Sequence, residues 1–268
     1  RQGERTIQMR RGGRNAFVYV FFGLLFFTSA CNTDAKEENL TREEAIIAKT
    51  IEKGESVDSF MIEMGMYEDY IWEDGSTEYD YVFLSGTDFL ERSHSRSTQK
   101  YGNEETETIG FLAEIYRDTE EVYLNMNNEG WRKANPSDYQ YEMTEYEGAI
   151  DFLGNIQNMR EVMIKENESE YEISYSGEDE SLYEGYALPS PLIKEATSFV
   201  VTGSPEVFFR IEKEDYTIRE FTTKFFYEDE AESGAEAILT VETYFDEINE
   251  VEDVVIPNEV IEEAKVNE

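Results

Sequence analysis

From Ser59 onward apolar side chains recur at every second residue, and this period constrains the fold more than any other feature of the chain. Phe60, Ile62, Met64 and Met66 fall on one face of an extended segment, with Met61, Glu63, Gly65 and Tyr67 on the other. Glu73-Asp74-Gly75-Ser76 reads as a turn, and strand-like runs follow at Glu78 to Leu84, Phe89 to Ser95, Thr106 to Arg117, and Glu121 to Met126. Asn127-Asn128-Glu129-Gly130 is a second turn, after which Trp131-Arg132-Lys133 resumes the strand. Further strands are predicted at Arg160 to Lys165, Glu170 to Tyr175, Val207 to Lys213, Tyr216 to Tyr227, Glu236 to Phe245 and Val254 to Ile256.

Helical spacing interrupts this rhythm. Thr41 and Glu44 have the spacing of a capping box, and Ile47 and Ile51 share a helix face before Gly54 stops the run. Tyr146 to Asn158 places Ile150, Leu153 and Ile156 three apart, and Pro189 to Val201 groups Leu192, Ile193, Ala196 and Phe199 as a second apolar helical patch. Pro257 and Asn258 open a terminal helix, EVIEEA. Many strands with a few amphipathic helices predict an α+β, mainly β domain: one large antiparallel sheet whose concave face is covered by helices.

The chain carries 61 Asp and Glu against 23 Lys and Arg, a formal charge of −38, yet 18 Tyr and 17 Phe supply a core that a disordered chain lacks. Residues 40–268 suit one large domain, with residues 31–39 as a polar tether before it. Such a surface repels nucleic acid, whose binding depends on Lys and Arg contacts to phosphate. It gains nothing from anionic lipid head groups. Charge of this kind keeps exported proteins soluble, with a dedicated cation-binding role as the alternative.

The front end has a different character. Met9 is followed by Arg10, Arg11 and Arg14, an apolar run from Ala16 to Phe27, then Thr28, Ser29, Ala30 and the single cysteine, Cys31. The run is short of the roughly 20 residues that cross a bilayer, and the layout is that of an export signal. Residues 9–30 resemble a bacterial lipoprotein signal, which predicts cleavage at Ala30/Cys31 and lipid attachment at Cys31. Thr28 stands where that signal ordinarily has Leu, so an ordinary secretory cut is the alternative. Residues 1–8 fall outside this pattern and read as an upstream extension, with Met9 as the true start.

The one histidine, His94, lies in ERSHSRSTQK, and no G-x-S-x-G turn accompanies it, so an exposed strand or loop histidine is the expectation. H-E-x-x-H is absent. Asn125, Asn127, Glu129 and Gly130 mimic the start of a calcium loop, but Pro136 occupies the position that needs a bidentate Glu, which leaves a hairpin turn. No glycine loop for phosphate occurs. The expectation is a protein without catalytic residues, metal or cofactor.

The lipobox-like TSAC, the opening LTREEAIIAKTIEK leading into SFMIEMGM, the hairpin EEVYLNMNNEGWRKA and the finish YFDEINEVEDVVIPNEVIEEA follow an order that resembles the LolA/LppX-like lipoproteins, and in particular uncharacterised Bacillota lipoproteins of that fold. The resemblance implies an unclosed half-barrel around helices, with an apolar cavity that holds a lipid or acyl chain. Its lining here would be Phe60, Ile62, Met64 and Met66 from the first strand, with Ile150, Leu153, Leu192, Ile193 and Phe199 from the helical patches. The expected protein is lipid-anchored on the extracytoplasmic face of a Gram-positive cell membrane. Two other readings stand beside it: a protein-interaction or envelope-sensing module that uses the half-barrel as scaffold, and a low-affinity cation buffer.

Overall fold

The computed structural model describes residues 40–89, 92–102, 107–135, 145–157, 159, 161–177, 182, 199–229 and 235–266. Helix α1 (Arg42–Gly54) opens the domain, and the strands β1 (Ser59–Trp72), β2 (Thr77–Phe89), β3 (Arg92–Gly102), β4 (Thr108–Arg117), β5 (Val122–Met126) and β6 (Trp131–Ala134) follow. Helix α2 (Glu145–Ile156) separates them from β7 (Met163–Glu166), β8 (Glu170–Ser176), β9 (Phe199–Val201), β10 (Glu206–Glu212), β11 (Ile218–Asp229) and β12 (Ala235–Asp246), and α3 (Asn258–Val266) closes the order.

All strands join one antiparallel sheet in the order β6-β5-β4-β3-β2-β1-β12-β11-β10-β8-β7, with β9 added beside β11. The two edges, β6 and β7, do not pair with each other, so the sheet is not closed into a barrel. Neighbours in each half are linked by hairpins, except that β9 falls in sequence between the paired strands β8 and β10. The halves meet where β1 pairs with β12, in register from Met61 opposite Asp246 to Trp72 opposite Ala235.

Local chemistry accounts for the elements. In α1 the Thr41 hydroxyl accepts from the Glu44 N–H at 3.2 Å, and the Glu44 carboxylate accepts from the Thr41 N–H at 2.7 Å, the reciprocal capping box. Asn127 and Asn128 take positive φ of 53° and 59°, and Gly130 of 102°, which turns β5 into β6. The segment that mimics a calcium loop is therefore this hairpin turn. Asn249, also at positive φ, braces the junction of α1 and β1: its side-chain oxygen accepts from the Asp58 N–H at 2.7 Å and its amide donates to the Ser56 carbonyl at 3.0 Å.

Two helices lie on the core face of the sheet. Ile47 of α1 and Tyr146, Ala149, Phe152, Leu153 and Ile156 of α2 pack with Phe60 and Ile62 of β1, Phe245, Leu239 and Ala237 of β12, Phe225 and Tyr227 of β11, and Val207, Phe209 and Ile211 of β10. Helix α3 takes the opposite face at the far end, where Val260 and Ala264 pack on Tyr123, with Tyr116 and Trp131 beside them. The Arg92 guanidinium donates to Asp253 at 2.9 Å and ties the segment before α3 to β3.

Two expectations need correction. Phe199, predicted on a helix running to Val201, lies in strand β9, where Phe199 pairs with Asp229 and Val201 with Tyr227; three successive β-branched or aromatic residues satisfy a strand edge as readily as a helix. Val254 to Ile256 forms no strand and runs as an irregular segment that leads into α3.

Candidate functional site

Pairing registers place one row of side chains across ten strands of the core face. It runs Ile164, Ile173, Phe209, Phe221, Thr243, Met64, Leu84, Ser97, Ala113 and Met126. Residues paired directly across strands project to the same side, so this row crosses the face on which α1 and α2 rest. Its character changes along its length. Ile173 and Phe209 are wholly buried, whereas Phe221, Met64, Leu84, Ser97, Ala113 and Met126 are only half-buried.

The adjacent rows repeat the change only in part, because Met66, Val82 and Leu124 are buried. Met66 sits between Val241 on β12 and Val82 on β2, and the row continues to Gln99 and Phe111. Ile62 pairs with Phe245 on one side and Gly86 on the other, then Ser95, Ile115 and Leu124. At Gly86 a β-carbon would come within 2.8 Å of the His94 carbonyl oxygen, so only glycine allows β2 and β3 to approach this closely.

The predicted lining residues divide by burial. Phe60, Ile62 and Leu153 fill the core, at 3%, 5% and 0% exposure, and Met66 is buried beside them. Met64 and Ile150 are half-buried against the same cluster. The structure thus brings Phe60, Ile62, Met64, Ile150 and Leu153 together. Leu192 and Ile193 lie outside the described residues, as does Cys31. Phe199 is placed by its backbone alone, on β9. Sequence reasoning missed Leu84, Phe221 and Val241, half-buried apolar residues of the same face that period two alone could not assign to a side.

Titratable groups also stand on this face. Glu68 is 3% and Asp88 7% exposed. Glu68 pairs with Asp80, whose carboxylate accepts from the Gln99 amide at 2.9 and 3.1 Å. Burial raises the Asp80 carboxyl above its ordinary value, against the pull of Gln99 and of a backbone N–H. Burial likewise raises Glu145 at the start of α2, with its own backbone N–H and Arg117 of β4 opposing the rise. Among the described residues no three His, Cys, Asp or Glu side chains group as metal ligands.

The opposite face holds His94. Its Nε2 lies 2.9 Å from Glu114 Oε1, the atom that also accepts from Arg96 Nε at 3.0 Å and Nη2 at 2.9 Å. The imidazole stacks on Tyr116, with centroids 4.1 Å apart and an interplanar angle of 10°. The neighbouring serines 93 and 95 project to the other side of β3, so no serine and histidine couple on this strand. His94, expected to be exposed, is instead partly buried in a hydrogen-bonded cluster with Glu114 and Arg96 beside α3, because it stacks on Tyr116.

Fold and face together define a protein with an open, mainly β sheet whose half-covered apolar side could receive a guest. Residues 42–189 match the family described as a family of unknown function, DUF6612, and the chain belongs to that family. Comparison with curated proteins found no match. Solved structures similar to it include a LolA superfamily protein from Nitrosomonas europaea, 11% identical over 82% of this chain and 97% of that one, at a TM-score of 0.22. Others are a DUF1329 family protein from Desulfovibrio piger, 10% identical over 76% and 92% with a TM-score of 0.24, and a beta-barrel-like protein of domain of unknown function DUF1849 from Brucella abortus, 7% identical over 71% and 99% with a TM-score of 0.25. Likenesses this distant carry no argument about ligand or activity. No helix among the described residues is long and apolar enough to cross a membrane, which says nothing of strands.

Proposed function

We propose that the chain is an extracytoplasmic lipoprotein, anchored through Cys31, that holds an apolar ligand such as a lipid acyl chain against the core face of its open sheet. One observation carries the reading: Met64, Leu84, Phe221 and Val241 remain partly exposed on the sheet face that elsewhere forms the core. Apolar side chains on a core face are ordinarily closed over by others, because burial is worth about 25 cal/mol per Å2. Met64 adds a flexible, polarizable side chain that adapts to guests of different shape. The protein acts here by binding, without chemistry, and the acidic exterior keeps a tethered domain off the anionic membrane that holds it.

The test is mass spectrometry of an organic extract from residues 32–268, exported without the anchor and gently purified. A stoichiometric apolar molecule is expected. A domain that arrives empty, and stays empty after incubation with membrane lipids, would sink the proposal.

A second reading, an interaction or sensing module, is favoured by exposed Met61 and Tyr244, at 41% and 40%, on the outer face of β1 and β12. Crosslinking in intact membranes should then recover one reproducible partner, lost in a Met61→Lys, Tyr244→Lys variant. Without such a partner the reading fails.

A further inference from the structure

The stretch Ser93-His94-Ser95-Arg96-Ser97-Thr98-Gln99 forms most of β3, and its alternation sorts it cleanly. His94, Arg96 and Thr98 face outward, while Ser93, Ser95, Ser97 and Gln99 stand on the core face, opposite Asp88, Gly86, Leu84 and Val82 of β2. On the next strand they meet Arg117, Ile115, Ala113 and Phe111. A run of hydroxyl and amide groups therefore lies beside partly buried Met64 and Leu84, with Ser97 directly opposite Leu84. Each serine hydroxyl can both donate and accept.

The charges on β1 to β4 of this face are unequal. Glu68, Glu78, Asp80 and Asp88 stand against one cation, Arg117, and the Arg117 charge also acts on Glu145. A carboxylate or phosphate brought onto this face meets like charge in a partly desolvated setting, where repulsion is far stronger than in water. A hydroxyl-bearing group meets partners.

We infer that the guest is an amphiphile whose polar part is uncharged and bears hydroxyl groups, its chain lying over Met64 and Leu84 and its hydroxyls bonded to Ser95, Ser97 and Gln99. The inference rests on the apolar-ligand reading and adds the class of head group. The serines act as specificity determinants: they discriminate between amphiphiles that share one chain. Asp80, which accepts from Gln99 at the far end of this row, sets a like charge against an anionic head group that reaches Gln99.

The full-length chain, stripped of bound lipid, is titrated calorimetrically at pH 8 with 1-monooleoylglycerol and with oleate, both below their aggregation limits. The neutral probe is expected to bind at least about tenfold tighter, the worth of one or two net hydrogen bonds. In the Ser95→Val, Ser97→Val double variant that preference should shrink several-fold. Asp80→Asn should strengthen oleate binding and leave the fold, checked by circular dichroism and melting temperature, as it was, so a misfolded valine variant does not remove the test. Oleate binding as tightly as monooleoylglycerol, or a preference unmoved by both variants, overturns the head-group assignment and leaves the apolar-ligand reading in place. If neither probe binds, both fall.

Discussion

Gly54, the last residue of α1, sits against Ile150 of α2 so closely that a β-carbon there would lie 2.5 Å from Ile150 Cγ1 and in conflict with its Cδ1. The two helices meet at this point with only the Ile150 side chain between them. In Gly54→Ala the helix gains up to about 1 kcal/mol of propensity, but overpacking of about 1–3 kcal/mol outweighs it. A net loss of roughly 1–2 kcal/mol in urea denaturation is expected. Ile150→Ala in the same chain should recover most of it, and additive effects of the two changes would show that the contact is not what matters.

Tyr146 is buried, and its hydroxyl accepts the Ile218 N–H at 2.9 Å. Tyr146→Phe strands that buried donor, at a cost of about 1–3 kcal/mol. Burial, against the pull of the Ile218 N–H, pushes the phenol up to about 12. Its protonated form therefore stabilises the fold below the ordinary tyrosine value near pH 10, and that contribution is lost as the pH rises through the folded value. Tyr67, raised to about 12 by burial and by its hydrogen bond with Tyr81, supplies a second such group. The phenylalanine variant should lose part of the alkaline slope of stability and keep the remainder; an unchanged slope refutes the assignment.

Glu114 gathers His94 and Arg96 on one oxygen. Burial pushes its carboxyl up, but the hydrogen bonds from His94 and Arg96 outweigh burial and hold it below its ordinary value. Its stabilising contribution is then complete above the usual carboxylate range and fades as pH falls through the lower, folded value. Glu114→Gln should destabilise the protein by about 1 kcal/mol at neutral pH, in line with partly exposed ion pairs. The difference from wild type should close toward acid pH. A gap that persists at pH 3 would mean that geometry, and not charge, sets it.

Cys31→Ser tests the anchor. If the thioether lipid is attached there, the variant should leave the membrane fraction and no longer incorporate labelled palmitate. Continued sedimentation with membranes would point to attachment through another feature.

Much of the fold could be read in the sequence because local chemistry dictates it. Thr41 and Glu44 announce α1, and Asn127 with Gly130 announce the β5–β6 turn by needing positive φ. Phe199 misled because a short apolar run fits helix and strand alike until a neighbour is known. On α2 the spacing of three picked Ile150, Leu153 and Ile156. The buried stripe follows 3.6 residues per turn through Tyr146, Ala149, Phe152 and Leu153, so Ile150 falls at its margin. Ser95 and Ser97 lie in the stretch ERSHSRSTQK, but which face they serve depends on the registers that link β3 through β2 to β1. Registers between distant strands are tertiary facts, set by packing, and no local window contains them.

The seam between β1 and β12 joins residues 59–72 to residues 235–246. Hairpins can form in each half as the chain emerges, yet β1 waits with one edge bare until the last long strand has been delivered. Contacts this far apart form slowly, and an unpaired strand invites wrong partners meanwhile. Until residues 235–246 are in place the sheet therefore remains two unjoined halves.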